Sequence, residues 1–253
     1  MHGTERAGQA GTGPELAAYA AELERANREL QWFAAVAAHE LHEPLRAVAG
    51  WAGLLGRRYH GRLDEDADEL IGSVTDGVAR MQALVDGLLI WAKAGAGSEA
   101  HAAVRAEEVL DRAVANLRTA IDESGATVHR GPLPVVQGDA AQLVQLFQNL
   151  VGNAVKFRSE RPPLVRVLAE RAHGWWRFAV ADNGVGVEPG LAERAFGLFQ
   201  RLHGRDRYPG AGIGLAVCVR IVEAHGGGIW LESAPASGTT CYFTLPPCAG
   251  QER

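Results

Sequence analysis

Asparagine and lysine residues at helical spacing form the first group that could do chemistry. Asn149, Asn153 and Lys156 are spaced by four and three residues, so they share one face of a predicted helix. Amide oxygens can bind a hard cation such as Mg²⁺, and an ammonium can neutralise phosphate. A solvated polar face has the same pattern, so this motif alone leaves both interpretations open.

Two glycine-rich motifs follow. Asp182 begins the run DNGVG after a predicted strand, where a carboxylate can accept a hydrogen bond from an exocyclic amine such as that of adenine. Gly184 and Gly186 would let the backbone approach a flat ring. The run GAGIGL, residues 210–215, precedes a predicted helix and could bind an anion through its backbone. A plain turn and a flexible loop are the alternatives.

A histidine is the candidate reactive group in the first half of the chain. His39 lies in the run AHELHEPL, residues 38–45, beside Glu40 and before Pro44. A histidine can accept a phosphoryl group, bind a metal, act as a base or be an ordinary surface residue. Nothing local distinguishes these roles.

Taken in order, these motifs resemble those of sensor histidine kinases. The run at 38–45 resembles the H box, the Asn149 helix the N box, and the two glycine motifs the G1 and G2 boxes, with residues 196–199 similar to the F box. Residues 196–215 and the His39 segment look most like the phytochrome-type kinases. The resemblance covers about residues 28–246.

The resemblance implies an ATP-dependent protein-histidine autokinase of a two-component system. It would phosphorylate His39 and relay the phosphoryl group to an aspartate of a response regulator receiver domain. Glu40 would be the base that orients His39, and Arg201 would stabilise the transferring group. Asn153 would hold Mg²⁺, with Asn149 as a second candidate ligand. The residues implied for ATP binding are Asn149, Asn153, Lys156, Phe157, Asp182, Gly184, Gly186, Phe196, Phe199, Gly210, Gly212, Gly214 and Leu215.

Two other functions fit the same motifs. One is a catalytically weak signalling scaffold that binds nucleotide unproductively. The other is a Bergerat-type ATPase that forms no phosphohistidine. The segment between the two glycine motifs is expected to cover the nucleotide as a lid.

Two apolar seams predict the helices that carry His39. The first runs from Leu16 to Ala37 with alternate spacings of three and four, which is typical of a coiled coil, and the helix is expected to continue to about Arg58 with a kink at Pro44.

After a turn at residues 59–63, Asp64 is expected to cap a second helix, whose seam runs from Ile71 to Ala92. Since each stripe of an antiparallel pair stays partly exposed, we predict a homodimer built on a four-helix bundle.

The remainder of the chain has mixed character and predicts an α+β sandwich, which the resemblance identifies as a Bergerat-type ATP-binding domain. Helices are predicted at 107–123, 139–158 and 212–225, and strands at 127–129, 135–136, 164–170, 175–181, 228–233 and 239–245.

The patterns divide the chain into five segments. We predict a disordered N-terminus at 1–13, a coiled-coil lead-in with the dimerisation and phosphotransfer hairpin at 14–95, a linker at 96–100, the catalytic ATP-binding domain at 101–247 and a tail at 248–253.

The composition limits which classes of partner and which cellular compartment are expected. The net charge is −5 without a basic run, which argues against nucleic acid as the main partner. No apolar run reaches the ~18 residues of a membrane span, and no signal peptide is visible. The three cysteines lack metal-type spacing. We therefore expect a cytoplasmic protein, with its sensor or input module on another chain or on a part outside this sequence.

Overall fold

The computed structural model describes residues 12–94, 101–200, 208 and 212–248. Within these residues a helical hairpin precedes a unit of helices packed on a sheet. The predicted fold class, a helical hairpin followed by an α+β sandwich, is confirmed. The predicted linker at 96–100 lies outside the described residues, as do residues 1–11 of the predicted disordered N-terminus and 249–253 of the predicted tail.

The hairpin consists of helices α1 (Thr12–Tyr59) and α2 (Glu65–Ala94). Helix α1 includes Pro44 within one continuous element. The two helices pack against each other, and Gly56 of α1 lies beside Ile71 of α2 near the turn. His39 is therefore carried on a long helix that is braced along one side.

The turn between the helices is fixed by two aspartates. Asp64 caps α2 as predicted, because the Ala67 N–H donates to its carboxylate at 2.9 Å. The Gly61 N–H donates to Asp68 Oδ2, also at 2.9 Å, and Gly61 has a φ of 67°. The sequence of the turn thus specifies the reversal of the chain.

Large apolar side chains of the hairpin remain exposed in the single chain. Four members of the first seam are at least 64% exposed: Tyr19, Leu23, Leu30 and Phe33. Trp51, further along α1, is 68% exposed. Large apolar side chains exposed at regular helical spacing are typical of an interaction face.

The second unit is built on a five-stranded sheet with the strand order β2-β4-β5-β7-β6. Strands β2 and β4 are parallel, and the other pairs are antiparallel. Strands β1 and β3 form a separate antiparallel pair. The strands are β1 (Ala102–Arg105), β2 (Thr127–Arg130), β3 (Val135–Gly138), β4 (Leu164–Ala172), β5 (Trp175–Asp182), β6 (Ile229–Ala234) and β7 (Gly238–Leu245).

Four helices accompany the sheet: α3 (Ala106–Asn116), α4 (Arg118–Ser124), α5 (Ala140–Lys156) and α6 (Gly214–Ala224). The single helix predicted at 107–123 is wrong. The chain leaves helical geometry at Leu117, whose φ and ψ are −97° and 6°, and the Leu117 side chain lies against Gly152 of α5. Packing on α5 thus overrides the continuous helical pattern.

Three phenylalanines fix α5 on the sheet. Phe147 of α5 meets Phe178 of β5 edge-on at 5.9 Å between ring centroids, and Phe178 stacks on Phe243 of β7 at 4.9 Å. All three are fully buried. Because the apolar face of α5 is held here, its polar face is held away from the core.

A buried histidine joins the beginning of α5 to the end of α6. The Asp139 N–H donates to His225 Nε2 at 3.0 Å, so Nδ1 carries the proton and donates to the Ile221 carbonyl at 2.7 Å. The His101 ring stacks on it at 4.7 Å. Burial lowers the pKa of His225 below its ordinary value, with a further lowering from His101. The neutral imidazole of His225 is therefore the form that fits these two hydrogen bonds.

Replacing His225 with leucine should destabilise the protein by about 2–4 kcal/mol near pH 7.5, because an amide and a carbonyl lose their partner. Since the pKa of His225 is lower in the folded state, the parent keeps this contribution above the unfolded value of about 6.5 and loses it as the pH falls. The difference in free energy of unfolding between parent and variant, measured with urea, should be smaller at pH 5.5 than at pH 7.5. The exposed His129→Leu serves as control, and a gap that widens on acidification would contradict the assignment.

Among the described residues, no helix combines the length and the apolar character needed to cross a bilayer.

Candidate functional site

Helix α5 places a row of polar side chains along a cavity of about 510 Å³. The helix begins at Asp139, whose carboxylate accepts from the N–H groups of Ala141 and Gln142. Because its apolar residues are buried against the sheet, the opposite face is turned to the cavity. Gln145, Asn149, Asn153 and Lys156 all line this cavity, as does Phe157 after the helix.

Asp182 lies at the end of β5 and also lines the cavity. Its Oδ1 accepts from the Gly184 N–H at 2.8 Å and the Thr239 N–H at 3.0 Å. Burial raises the pKa of Asp182, while these two amides lower it. Since both amides bind Oδ1, the described residues leave Oδ2 to accept from a ligand.

Two glycines let backbone segments meet beside Asp182. Gly186 lines the cavity with a φ of 70°, and a Cβ there would stand 2.0 Å from the Ala234 carbonyl oxygen. A Cβ on Gly184 would stand 2.3 Å from the Phe157 carbonyl oxygen. Gly186 therefore requires glycine for both conformation and space, and Gly184 requires it for space.

Gly186→Ala should destabilise the protein by about 2–4 kcal/mol, because it adds strain at positive φ and forces the β5–β6 region apart. Gly190→Ala is the matched control, since a Cβ at Gly190 meets nothing within 4 Å. Urea unfolding of the two variants checks the prediction. Equal stabilities would show that the backbone approach at Gly186 is not needed.

The second glycine motif reaches the cavity at the N-terminus of α6. Gly212 has a φ of 72°, and the lining includes Gly212, Ile213, Gly214 and Leu215. Asn149 Nδ2 donates to the Gly214 carbonyl at 3.3 Å, which ties α5 to this motif.

The two asparagines of α5 are not equivalent. Asn149 Oδ1 accepts from Gln145 Nε2 at 3.2 Å, whereas the Asn153 amide has no hydrogen bond among the described residues. Asn153 is thus the better placed of the two to bind a cation, whereas the Asn149 side chain already bonds Gln145 and the Gly214 carbonyl.

The structure gathers most, but not all, of the predicted site residues. Those that line the cavity are Asn149, Asn153, Lys156, Phe157, Asp182, Gly186, Gly212, Gly214 and Leu215. Gly184 lies behind Asp182 and outside the lining. Arg201 and Gly210 lie outside the described residues, as do residues 202–207 and 209 of the predicted lid.

Two predicted phenylalanines stand apart from the cavity. Phe196 is half-buried at the end of a 3₁₀ turn, and Phe199 is 49% exposed with a φ of 60°. Their neighbours Ala195 and Gln200 line the cavity instead. These two residues were predicted from the resemblance to the F box, which does not indicate where the side chains of a 3₁₀ turn and of a residue at positive φ point.

His39 and Glu40 are exposed on α1 and are not part of the cavity lining. His42, one turn further, lies with its Nδ1 3.4 Å from Asp86 Oδ1 of α2. The buried Ala38 marks the side of α1 that faces inward.

Helix α2 forms part of the cavity wall, which the motifs did not indicate. Its contributions are Ala83, Asp86, Gly87 and Ile90. A Cβ on Gly87 would lie 2.4 Å from Ile213 Cδ1, so glycine permits this close approach. The Arg220 guanidinium of α6 lies 4.9 Å from the Trp91 ring centroid, which adds a cation–π contact.

Other lining residues were missed for different reasons. Thr239 and Cys241 lie two residues apart on β7, and both line the cavity. Strand alternation predicts that they share a face, but it does not indicate a role in a site. Tyr208 lies within the run likened to the phytochrome-type kinases, and its buried ring lines the cavity. No spacing rule singled it out.

Comparison with known proteins identifies two domain families. Residues 29–97 match the His Kinase A (phospho-acceptor) domain, HisKA. Residues 138–248 match HATPase_c, the histidine kinase-, DNA gyrase B- and HSP90-like ATPase.

Similar curated proteins include two cyanobacterial phytochromes. The chain is 48% identical to cyanobacterial phytochrome A of Nostoc sp. (strain PCC 7120) over 239 residues, which cover 94% of this chain and 31% of that protein. It is 46% identical over 232 residues to the phytochrome-like protein Cph1 of Synechocystis sp. (strain PCC 6803), covering 92% of this chain and 31% of the relative. The chain thus spans about a third of the length of these relatives.

Solved structures share the fold. The crystal structure of full-length ShkA in complex with AMPPNP aligns with a TM-score of 0.63 and 30% identity, covering 84% of this chain and 45% of that one. Histidine kinase ThkA, solved with the response regulator TrrA, aligns with a TM-score of 0.60 at 20% identity, covering 92% and 68% of the two chains. With matches to HisKA and then HATPase_c, and with 46–48% identity to the two phytochromes, the chain belongs to the sensor histidine kinases of the phytochrome-type subgroup.

Proposed function

We propose that the chain is an ATP-dependent protein-histidine autokinase of a two-component system that phosphorylates His39. The observation that carries the proposal is the assembly of Asn153, Lys156 and Asp182 in one cavity, with an exposed histidine on the adjoining hairpin. Residues 14–95 would form the dimerisation and phosphotransfer unit, and 101–247 the catalytic domain.

The cavity suits a nucleoside triphosphate in size and in polarity. Its volume of about 510 Å³ lies in the range of small-molecule sites. Asp182 Oδ2 would accept from the exocyclic amine of adenine, and Val180 and Leu231 supply apolar wall for the ring. Lys156 would neutralise phosphate charge.

The residues present also fit Mg²⁺, which would shield the phosphate charge during transfer. Asn153 offers an amide oxygen within the cavity, and magnesium binds few protein ligands in addition to phosphate and water. Asn149 stays a second candidate, although its oxygen already accepts from Gln145. Arg201, outside the described residues, is proposed to stabilise the transferring group.

His39 supplies the nucleophile. A neutral imidazole nitrogen would attack the terminal phosphorus, so that a nitrogen–phosphorus bond forms as the bond to the bridging oxygen breaks and ADP leaves. Glu40, the next residue, would hold the tautomer and take up the ring proton. Both side chains are exposed, so an ATP-bearing domain can reach them.

The exposed apolar side chains of the hairpin support a homodimer. Pairing two hairpins into a four-helix bundle would bury the seam that includes Leu23 and Leu30, which are exposed in one chain. The phosphohistidine would then serve a receiver-domain aspartate of a response regulator. An input module outside this chain, and a cytoplasmic location, remain predictions.

Labelled ATP tests the proposal against its two alternatives. The parent protein, incubated with Mg²⁺ and ATP carrying label in the γ-phosphate, should acquire protein-bound label that acid removes and alkali preserves. Free labelled phosphate without protein-bound label would favour the ATPase. Bound nucleotide with neither product would favour the scaffold.

A further inference from the structure

Tyr208 occupies a position between the cavity and the end of α5. Its ring is buried and lines the cavity, and its hydroxyl donates to the Arg158 carbonyl at 3.0 Å. The ring also meets Phe157 at 5.1 Å between centroids, with 61° between the planes. Tyr208 thereby contacts both the Arg158 backbone and the Phe157 side chain, just after α5.

The Phe157 ring in turn contacts the ammonium of Lys156. The Lys156 ammonium lies 4.6 Å from the centroid of the Phe157 ring, within the range of a cation–π contact. The Phe157 backbone is held separately, because its carbonyl accepts from the Val185 N–H at 3.0 Å. Backbone contacts thus fix where Phe157 sits, while Tyr208 restricts how its ring is oriented.

We propose that Tyr208 is a positioning residue that acts through the Phe157 ring on the Lys156 ammonium, and so on the affinity for the phosphates of ATP. A lysine has four rotatable side-chain bonds, so a prearranged ammonium loses less entropy when it meets a phosphate. The inference rests on the proposed function, because it assumes that the cavity binds ATP.

A double-mutant cycle in ATP affinity tests this coupling. Tyr208→Leu should weaken ATP binding by roughly 10-fold in the parent background but by less than about 2-fold in the Lys156→Met background, where the ammonium is absent. Tyr208→Phe keeps the ring and loses only the hydroxyl, so it should cost at most about 3-fold. Calorimetric titration with ATP and Mg²⁺ measures all the variants.

Tyr242→Leu is the matched control, because Tyr242 stacks on Trp230 and does not line the cavity. It should leave ATP affinity unchanged. Equal losses from Tyr208→Leu in both backgrounds, no loss in either, or a loss in Tyr208→Phe as large as in Tyr208→Leu would each overturn the inference. Thermal unfolding of each variant separates loss of fold from loss of positioning, and Tyr208→Phe keeps the test open if the leucine variant does not fold.

The two levels of proposal fail differently. A parent protein that binds no ATP would refute the proposed function. A parent that binds ATP and acquires acid-labile label, but shows independent effects at Tyr208 and Lys156, would refute only the positioning role.

Discussion

His39→Gln should abolish acid-labile phosphorylation, a loss of at least about 1000-fold, because the side chain no longer offers a nucleophilic ring nitrogen. ATP affinity should change by less than about 2-fold, since His39 is not part of the cavity lining. Protein-bound label and nucleotide affinity, measured on the same preparation, test both statements.

His60→Gln provides the matched control for this result. His60 is exposed at the turn after α1 and lies 3.3 Å from Asp68, so the same substitution there should leave labelling intact. Undiminished label in His39→Gln would place the acceptor elsewhere. Hydrolysis of ATP that continues at the parent rate without label would favour the ATPase alternative.

Asp182→Asn should weaken ATP binding by roughly 100-fold. The amide oxygen can still accept from the Gly184 and Thr239 N–H groups, so the local fold should survive. The new NH₂ group, however, takes the place of Oδ2 and would face the exocyclic amine of adenine donor to donor. Calorimetric titration with ATP measures the loss.

Inosine triphosphate, which lacks the exocyclic amine, sharpens this experiment. The parent should prefer ATP strongly, and Asp182→Asn should lose most of that preference. Asp111→Asn is the control, because Asp111 pairs with Arg130 away from the cavity. An Asp182→Asn variant that still discriminates the two nucleotides would remove Asp182 from base recognition.

Local patterns sufficed for much of the fold. The seams of α1 and α2 and the cap at Asp64 depend on residues close in sequence, and the structure confirms these helices and the cap. The hairpin of β4 and β5 around Gly174 is confirmed for the same reason. Strand β1 was missed because four residues with one buried side chain give no clear alternation.

The break at Leu117 and the composition of the cavity depend on contacts between distant segments. Leu117 turns to pack beside Gly152, which no local spacing encodes. The wall residues Asp86 and Gly87 reach the cavity because the hairpin lies against α6. This placement depends on tertiary packing between segments that are distant in sequence. By contrast, the spacing of Asn149, Asn153 and Lys156 predicted that they share one face of α5, and the resemblance supplied their link to a nucleotide.

Gly87 and its neighbours on α2 form part of the cavity wall. Ligand binding in the cavity therefore depends on the position of the hairpin. Moving α2 away from Ile213 would remove Asp86 and Ile90 from contact with any ligand that touches them. Such a ligand has unequal affinity for the two positions of α2, so thermodynamic reciprocity requires that any input that shifts α2 also change the affinity for this ligand. Ligand binding in the cavity and the position of α2 are thus expected to influence each other in both directions.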